Sequence, residues 1–269
     1  MLPTPSTSHV FFDNVYEPAE DSFLLLDTLS SSAESSFLRA RFSNPHTHQN
    51  ESSTHNLGAP LVVEVGTGSG IVLAFVAANA RTIFGRSDLL TLGTDINSFA
   101  CRASTKTVQI AITEPSDHLE RGNFLDVVNA DLTTPIRPGS VDILIFNPPY
   151  VPTSETPDLA LHDTFNILPP ETNSTTFEQD SHLLALSYAG GMNGMEITNK
   201  LLEQLRDILH PELGVAYVLL CAQNKPNQVK ECIRNWGQSW AVDTVGYSGK
   251  KGGWEKLQIL RIWRVCSNG

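Results

Sequence analysis

The chain has 269 residues, with 18 Lys and Arg against 29 Asp and Glu and a formal net charge of −11. That length suits one sizeable α/β core, with a single domain over 1–269 as the expectation. The acidic balance argues against tight nonspecific binding to nucleic acid, which needs a cationic surface, and suits a basic protein partner better. No apolar run reaches membrane-spanning length, and the first nine residues lack the apolar centre of a signal peptide. Cys101, Cys221, Cys232 and Cys266 show no paired metal spacing, so no metal site is expected, and the setting is a reduced one, cytoplasmic and open to the nucleus as well.

A first helix is expected to start near Pro18, because proline fits the first helical turn. Phe23, Leu24, Leu26 and Leu29 would face the core, with residues 20–22 near a ligand. Residues 31–59 turn rich in serine, asparagine and histidine, the composition of a partly disordered insertion. His46, His48 and His55 lie within it, without the acidic support or fixed geometry of a metal site.

An apolar strand over 61–65 then runs into Gly66-Thr67-Gly68-Ser69-Gly70 and a helix-like stretch over 71–80. Glycines let the backbone turn tightly and approach a ligand, and the helix start offers unpaired N–H groups. A dinucleotide fingerprint would place its third glycine one residue later. Glu64, in the strand before the loop, would repel a pyrophosphate; it could hold the loop or meet an ammonium group. The pattern favours a ligand with a cationic amino-acid part over a nicotinamide dinucleotide.

A second strand over 89–94 ends at Asp95, where a carboxylate at the sheet edge can accept both hydroxyls of a ribose. A third, over 127–130, ends at Asp131-Leu132, an acid for an adenine amino group and an apolar face for its ring. A fourth, over 141–146, is stopped by two prolines and carries Asn147-Pro148-Pro149-Tyr150. The Asn147 side-chain oxygen and the Pro148 carbonyl can accept hydrogen bonds from a flat NH2 group, and the ring of Tyr150 or of a neighbour can cover its plane. Each residue alone reads as an ordinary cap or turn. Together, four polar residues ending four candidate strands converge on one edge of a parallel sheet, with Asn147 beside the cofactor as well as the acceptor. The ligand expected there is S-adenosylmethionine.

Pro152, Pro157, Pro169 and Pro170 mark a long loop over about 153–182, a substrate lid or a spacer. A helix over 197–209, a strand over 215–221, a helix over 226–236 and strands over 241–247 and 257–263 follow. Lys250 and Lys251 fall in the hairpin-like link between the last two.

These motifs carry a family resemblance. The glycine loop, Thr94-Asp95-Ile96-Asn97 and Asn147-Pro148-Pro149-Tyr150 resemble the HemK-like glutamine methyltransferases. Tyr16-Glu17-Pro18-Ala19-Glu20-Asp21-Ser22-Phe23-Leu24-Leu25-Leu26-Asp27 resembles their eukaryotic and archaeal branch, as does Ala189-Gly190-Gly191-Met192-Asn193-Gly194, where Met192 stands in place of a frequent basic residue. The resemblance covers most of residues 10–265. It implies the seven-stranded Rossmann-like class I S-adenosylmethionine-dependent methyltransferase fold, an α/β fold whose mostly parallel sheet ends in an antiparallel C-terminal strand. It implies methylation of the amide nitrogen of the glutamine in the Gly-Gly-Gln tripeptide of the class I translation termination factor, leaving S-adenosylhomocysteine. Implied cofactor contacts are Ser22, Glu64, Gly66, Gly68, Asp95, Asp131, Leu132 and Asn147. The implied acceptor grip is Asn147, Pro148, Pro149 and Tyr150. A small zinc-binding activator subunit is implied as partner in a heterodimer, and residues 89–92 with Ile83 and Phe84 are the expected edge for it. Direct in-line transfer needs no strong base, because an amide nitrogen turns acidic only as the new bond forms. An adenine amino group of DNA or RNA, a protein lysine, and a non-enzymatic cofactor-binding scaffold are the other readings of the same pocket.

Overall fold

Seven strands form one sheet in the order β3-β2-β1-β4-β5-β7-β6 in a computed structural model that describes residues 2–42, 58–114, 121–160, 162–168, 175–249 and 256–265. β1 (Leu61–Val65), β2 (Leu90–Asp95), β3 (Asn123–Asn129), β4 (Ile143–Phe146) and β5 (Val215–Cys221) pair in parallel. β6 (Trp240–Tyr247) and β5 flank β7 (Leu257–Arg264), which is antiparallel to both. This is the mostly parallel seven-stranded arrangement expected, with the antiparallel strand at the C-terminus.

The central strands are apolar throughout because both faces are covered. Along β5, Val215, Tyr217 and Leu219 enter one core while Ala216, Val218 and Leu220 enter the other. The first core packs under α1 (Glu20–Ser30), α2 (Ser32–Phe42), α3 (Ile71–Ala78) and α4 (Ala80–Phe84); the second packs under α8 (Glu196–Ile208) and α9 (Pro226–Arg234). α5 (Ser98–Thr113) closes a third cluster with α3 and β3.

Four sequence expectations need correction. The first helix begins at Glu20, two residues beyond Pro18, and its buried stripe is Ser22, Leu25, Leu26 and Leu29, spaced at 3, 4 and 7 positions. Phe23 falls off that stripe and is half-exposed, while Leu24 is partly buried.

The segment over 31–59, expected to be partly disordered, opens with a helix, and residues 43–57 lie outside the described residues. Ser31 Oγ accepts the Glu34 backbone N–H at 3.2 Å, a cap hidden in a run of serines. Glu34 is itself buried, taking Arg261 Nη1 at 2.8 Å and the Tyr217 hydroxyl at 2.8 Å, so α2 is tied to the sheet. The three histidines of that segment lie outside the described residues.

The loop after β4 is shorter than 153–182: α6 (His162–Phe165) interrupts it, and α7 (Phe177–Tyr188) starts early, capped by Thr176 Oγ1 on Gln179 N. The proposed edge around residues 89–92 is also internal. β2 lies between β1 and β3, with Ile83, Phe84 and Leu89 fully buried. Its apolar sequence reflects coverage on all sides. The edge on that side of the sheet is β3, whose sequence is mixed because much of it faces solvent.

Candidate active site

The carboxyl ends of β1, β2, β3 and β4 open on one cleft of about 1250 Å³, open solvent included. This is where an open α/β sheet offers its loops and helix starts to a ligand. Gly66, Gly68 and Gly70 all have positive φ (66°, 52° and 79°), so the chain after β1 folds back tightly enough to line it. A side chain at Gly68 would enter open space, whereas one at Gly70 would meet the Ser104 backbone at 2.5 Å. The former leaves room for a ligand and the latter permits close helix packing.

At the end of β2, Asp95 accepts Gly68 N–H at 2.8 Å through Oδ2 and Asn97 N–H at 2.9 Å through Oδ1. Thr67 adds a side-chain hydrogen bond, and a carboxylate with about four acceptor sites keeps capacity for a further donor. Burial pushes the Asp95 carboxyl up to about 6, against the lowering effect of those two N–H groups. Glu64 is raised well above the usual carboxylate range, again by burial first, and its Oε2 accepts the Leu73 N–H at 2.8 Å.

After β3, Asp131 is exposed and its carbonyl anchors a turn through Thr134. Leu132 adopts φ 49°, a conformation costly for a branched side chain, yet is buried and lines the cleft. Backbone strain retained at such a place is the mark of a site that uses it.

After β4, Asn147 Nδ2 donates to Asp21 Oδ2 at 3.0 Å, while Asn147 Oδ1 is buried with no partner among the described residues. Both Asn147 and Pro149 line the cleft. The arrangement thus offers paired acceptors at Asp95, an apolar shelf at Leu132 and a single unpaired amide acceptor at Asn147.

No family model matches the chain. Curated relatives do. The chain is 34% identical over 269 residues to the eRF1 methyltransferase catalytic subunit mtq2 of Schizosaccharomyces pombe, covering 98% of this chain and 97% of that protein. The chain belongs to the Mtq2/HEMK2 family of methyltransferases. Methyltransferase HEMK2 of Mus musculus is 30% identical over 268 residues, 97% of this chain and 96% of that one. Among solved structures, an rRNA methylase from Streptococcus thermophilus aligns at 12% identity and a TM-score of 0.41, over 87% of this chain and 95% of that one.

In this methyltransferase, Ser22, Glu64, Gly66, Gly68, Asp95, Asp131, Leu132, Asn147 and Pro149 are brought to one cleft. Pro148 is buried and lies off it. Tyr150 also lies behind the cleft, buried in the core with its hydroxyl 3.5 Å from Asp21 Oδ2, so its ring does not cover the cleft. Met192 is exposed and does not line it.

Sequence reasoning missed several groups. Asn14, Val15 and Tyr16 line the cleft before α1; Asn14 O accepts Asn97 Nδ2 at 2.8 Å, and Asn14 Nδ2 donates to Asp180 at 2.9 Å. Thr156, Pro157 and Leu159 form part of the wall. The segment carrying them is fastened to the loop after β2, where Asn166 takes Ser98 N–H at 2.6 Å and the His162 ring lies 2.9 Å from Ile96 O. Asn224, buried after β5, donates to the carbonyls of Tyr150 (3.0 Å), Asn193 (2.9 Å) and Gly194 (3.2 Å) while accepting Cys221 N–H at 2.7 Å. Only its place after an apolar strand hinted at it.

Proposed function

We propose that this enzyme transfers a methyl group from S-adenosylmethionine to the side-chain amide nitrogen of the glutamine in the Gly-Gly-Gln tripeptide of a class I translation termination factor. The observation that carries the acceptor reading is the buried, unpaired Oδ1 of Asn147. An unmet buried acceptor costs about 1–3 kcal/mol, and an incoming N–H removes that cost. A primary amide supplies such a donor.

The cleft suits the cofactor. Asp95 offers its two oxygens to the ribose hydroxyls, Asp131 and Leu132 take the adenine amino group and face, and Gly66 and Gly68 leave room for the amino-acid part. When bound, the cofactor supplies a methyl group already activated by its sulfonium. The chain's own task is then to hold and aim: Asn147 takes one hydrogen of the acceptor amide, the nitrogen lone pair is left toward the cofactor side, and the other hydrogen leaves as a proton to water as the new bond forms. Orientation of this kind is a major source of rate.

The fission-yeast relative is named as a catalytic subunit and as an eRF1 methyltransferase. We assign this chain the same substrate, and a small zinc-binding activator as partner in a heterodimer. Its docking place is the outer edge of β3, where Leu125 and Val128 are exposed. A substrate in the translation machinery goes with a cytoplasmic enzyme, also present in the nucleus.

The test is transfer of labelled methyl from S-adenosylmethionine to purified termination factor in the presence of the activator. It is run beside a factor whose tripeptide glutamine is replaced, and beside duplex and single-stranded DNA. Label on the intact factor alone is the expected result. Label on DNA, or equal label on the factor without the glutamine, overturns the proposal.

A further inference from the structure

Asp21 is a buried acid, 2% exposed, in the first turn of α1, behind a cleft whose lining it does not join. Every group facing its carboxylate donates. Oδ1 takes Ser22 N–H at 2.6 Å and Ser22 Oγ–H at 3.3 Å; Oδ2 takes Asn147 Nδ2–H at 3.0 Å and, at longer range, the Tyr150 hydroxyl at 3.5 Å. Among the described residues no lysine or arginine forms an ion pair with it, and none precedes Arg39 in the chain.

An amide side chain has one accepting end and one donating end of nearly equal shape. Left to itself, Asn147 could present either end to the cleft. A carboxylate oxygen at 3.0 Å selects the nitrogen, and the oxygen is thereby left at the other end of the amide, buried and with no partner among the described residues, in a side chain that lines the cleft. We infer that Asp21 is a positioning residue whose task is to fix the polarity of Asn147, so that the site presents an acceptor and admits only N–H donors. This inference rests on the proposed role of Asn147 in gripping the acceptor amide. It adds specificity: an acceptor whose reacting atom carries no hydrogen, such as a ring nitrogen or a thioether, gains nothing from Oδ1 and leaves it unmet.

The network makes a sharp demand on substitution. In Asp21→Asn, the new oxygen is claimed by the two Ser22 donors, so the new NH2 group faces Asn147. Asn147 must then turn its own oxygen back toward residue 21 and show NH2 to the cleft. The acceptor becomes a donor without any change in volume. In the reciprocal pair, Asp21→Asn with Asn147→Asp, the new amide at residue 21 donates to one oxygen of the new carboxylate at residue 147. The other oxygen of that carboxylate again faces the cleft.

The experiment compares wild type, D21N, N147D and the D21N/N147D double variant for methyl transfer and S-adenosylmethionine affinity, and wild type and D21N for the side-chain NH2 signals of Asn147 in ¹⁵N-resolved NMR. The expected result for D21N is a loss of about 10²–10³ in kcat, the size seen when one aimed hydrogen bond is lost, with cofactor affinity within about threefold of wild type. The double variant is expected to recover at least about tenfold over either single change, a rescue that a merely structural Asp21 does not give. Turnover of D21N equal to wild type, or a double variant no better than N147D, overturns the inference. If D21N alone fails to fold, rescue of N147D by the second change remains decisive. The NMR signals separate this outcome from the fate of the glutamine proposal: an Asn147 NH2 pair unmoved by D21N overturns the polarity role whether or not any substrate is methylated.

Discussion

Glu64 and Asp95 sit at the ends of neighbouring strands as two buried carboxylates facing one cleft, Glu64 holding the Leu73 N–H and Asp95 the N–H groups of Gly68 and Asn97. Burial raises both, and the Asp95 charge raises Glu64 further. The ionised pair is therefore an expense of the folded state, and a cationic ligand nearby offsets it.

That relation fixes a pH dependence. Asp95 rises from 3.8 to about 6 in the fold, so the folded chain binds a proton more readily than the unfolded chain between those values. The contribution to stability is fully present below about 4 and is lost as pH rises through about 6, a cost of roughly 3 kcal/mol at neutral pH. From this group, the ligand-free protein gains stability when pH falls from about 7.5 to about 5.5. Cofactor affinity moves the other way, because a protonated Asp95 loses acceptor capacity, and is expected to fall several-fold over the same range. Thermal melts and calorimetric titrations at the two pH values check both signs.

Removing the amide at residue 147 separates grip from cofactor binding. Asn147→Ala is expected to lower kcat by about 10²–10³ with little change in S-adenosylmethionine affinity. Asp95→Ala is expected to do the reverse, weakening the cofactor at least tenfold in a calorimetric titration. A fully active Asn147→Ala enzyme removes the basis of the proposed chemistry.

Asn224 is expected to obey an order that volume alone does not set. Asn224→Ala loses four hydrogen bonds but leaves space, at a cost of about 2–4 kcal/mol. Asn224→Asp keeps the bond from Cys221 N–H but sets a carboxylate oxygen against the carbonyls of Tyr150, Asn193 and Gly194. The aspartate variant is therefore expected to be the less stable of the two in urea unfolding.

Glu34, Tyr217 and Arg261 lie on the far side of the sheet order from Asp95, tied together under α2. Arg261 also stacks over Phe37 at 3.8 Å and Trp263 at 4.5 Å. Glu34→Ala leaves a largely buried guanidinium without its partner and is expected to destabilise by about 3 kcal/mol. Turnover per folded molecule is expected to stay at the wild-type level, which an active-site titration with cofactor can verify.

Strand positions were legible because the central strands are apolar on both faces, and β1 and β5 begin and end where their sequences suggest. The acids at strand ends were legible for the same reason: a polar residue closing an apolar run has few other uses. What escaped was long-range. Asp21 meets Asn147 across 126 positions, and Asn224 meets Tyr150 across 74. In sequence the first is merely an acid in a first helical turn and the second a polar residue near a proline. The edge strand was misplaced because hydrophobicity marks burial, and an edge that faces solvent reads as polar. α2 escaped because its cap is a serine within a run of serines.

The turns around Gly190 and Gly194 press so closely on the Pro149 and Tyr150 carbonyls that a methyl group at either glycine would overlap them. The four residues at the end of β4 are thus clamped from three remote stretches of chain: the first helix, the glycine turn and the segment after β5. Such a motif is not portable. Grafting Asn-Pro-Pro-Tyr onto another parallel sheet would transplant a stiff bend without its polarity or its clamp, and a designer wishing to reuse this chemistry has to carry the distant acid, the two glycines and the buried amide along with it.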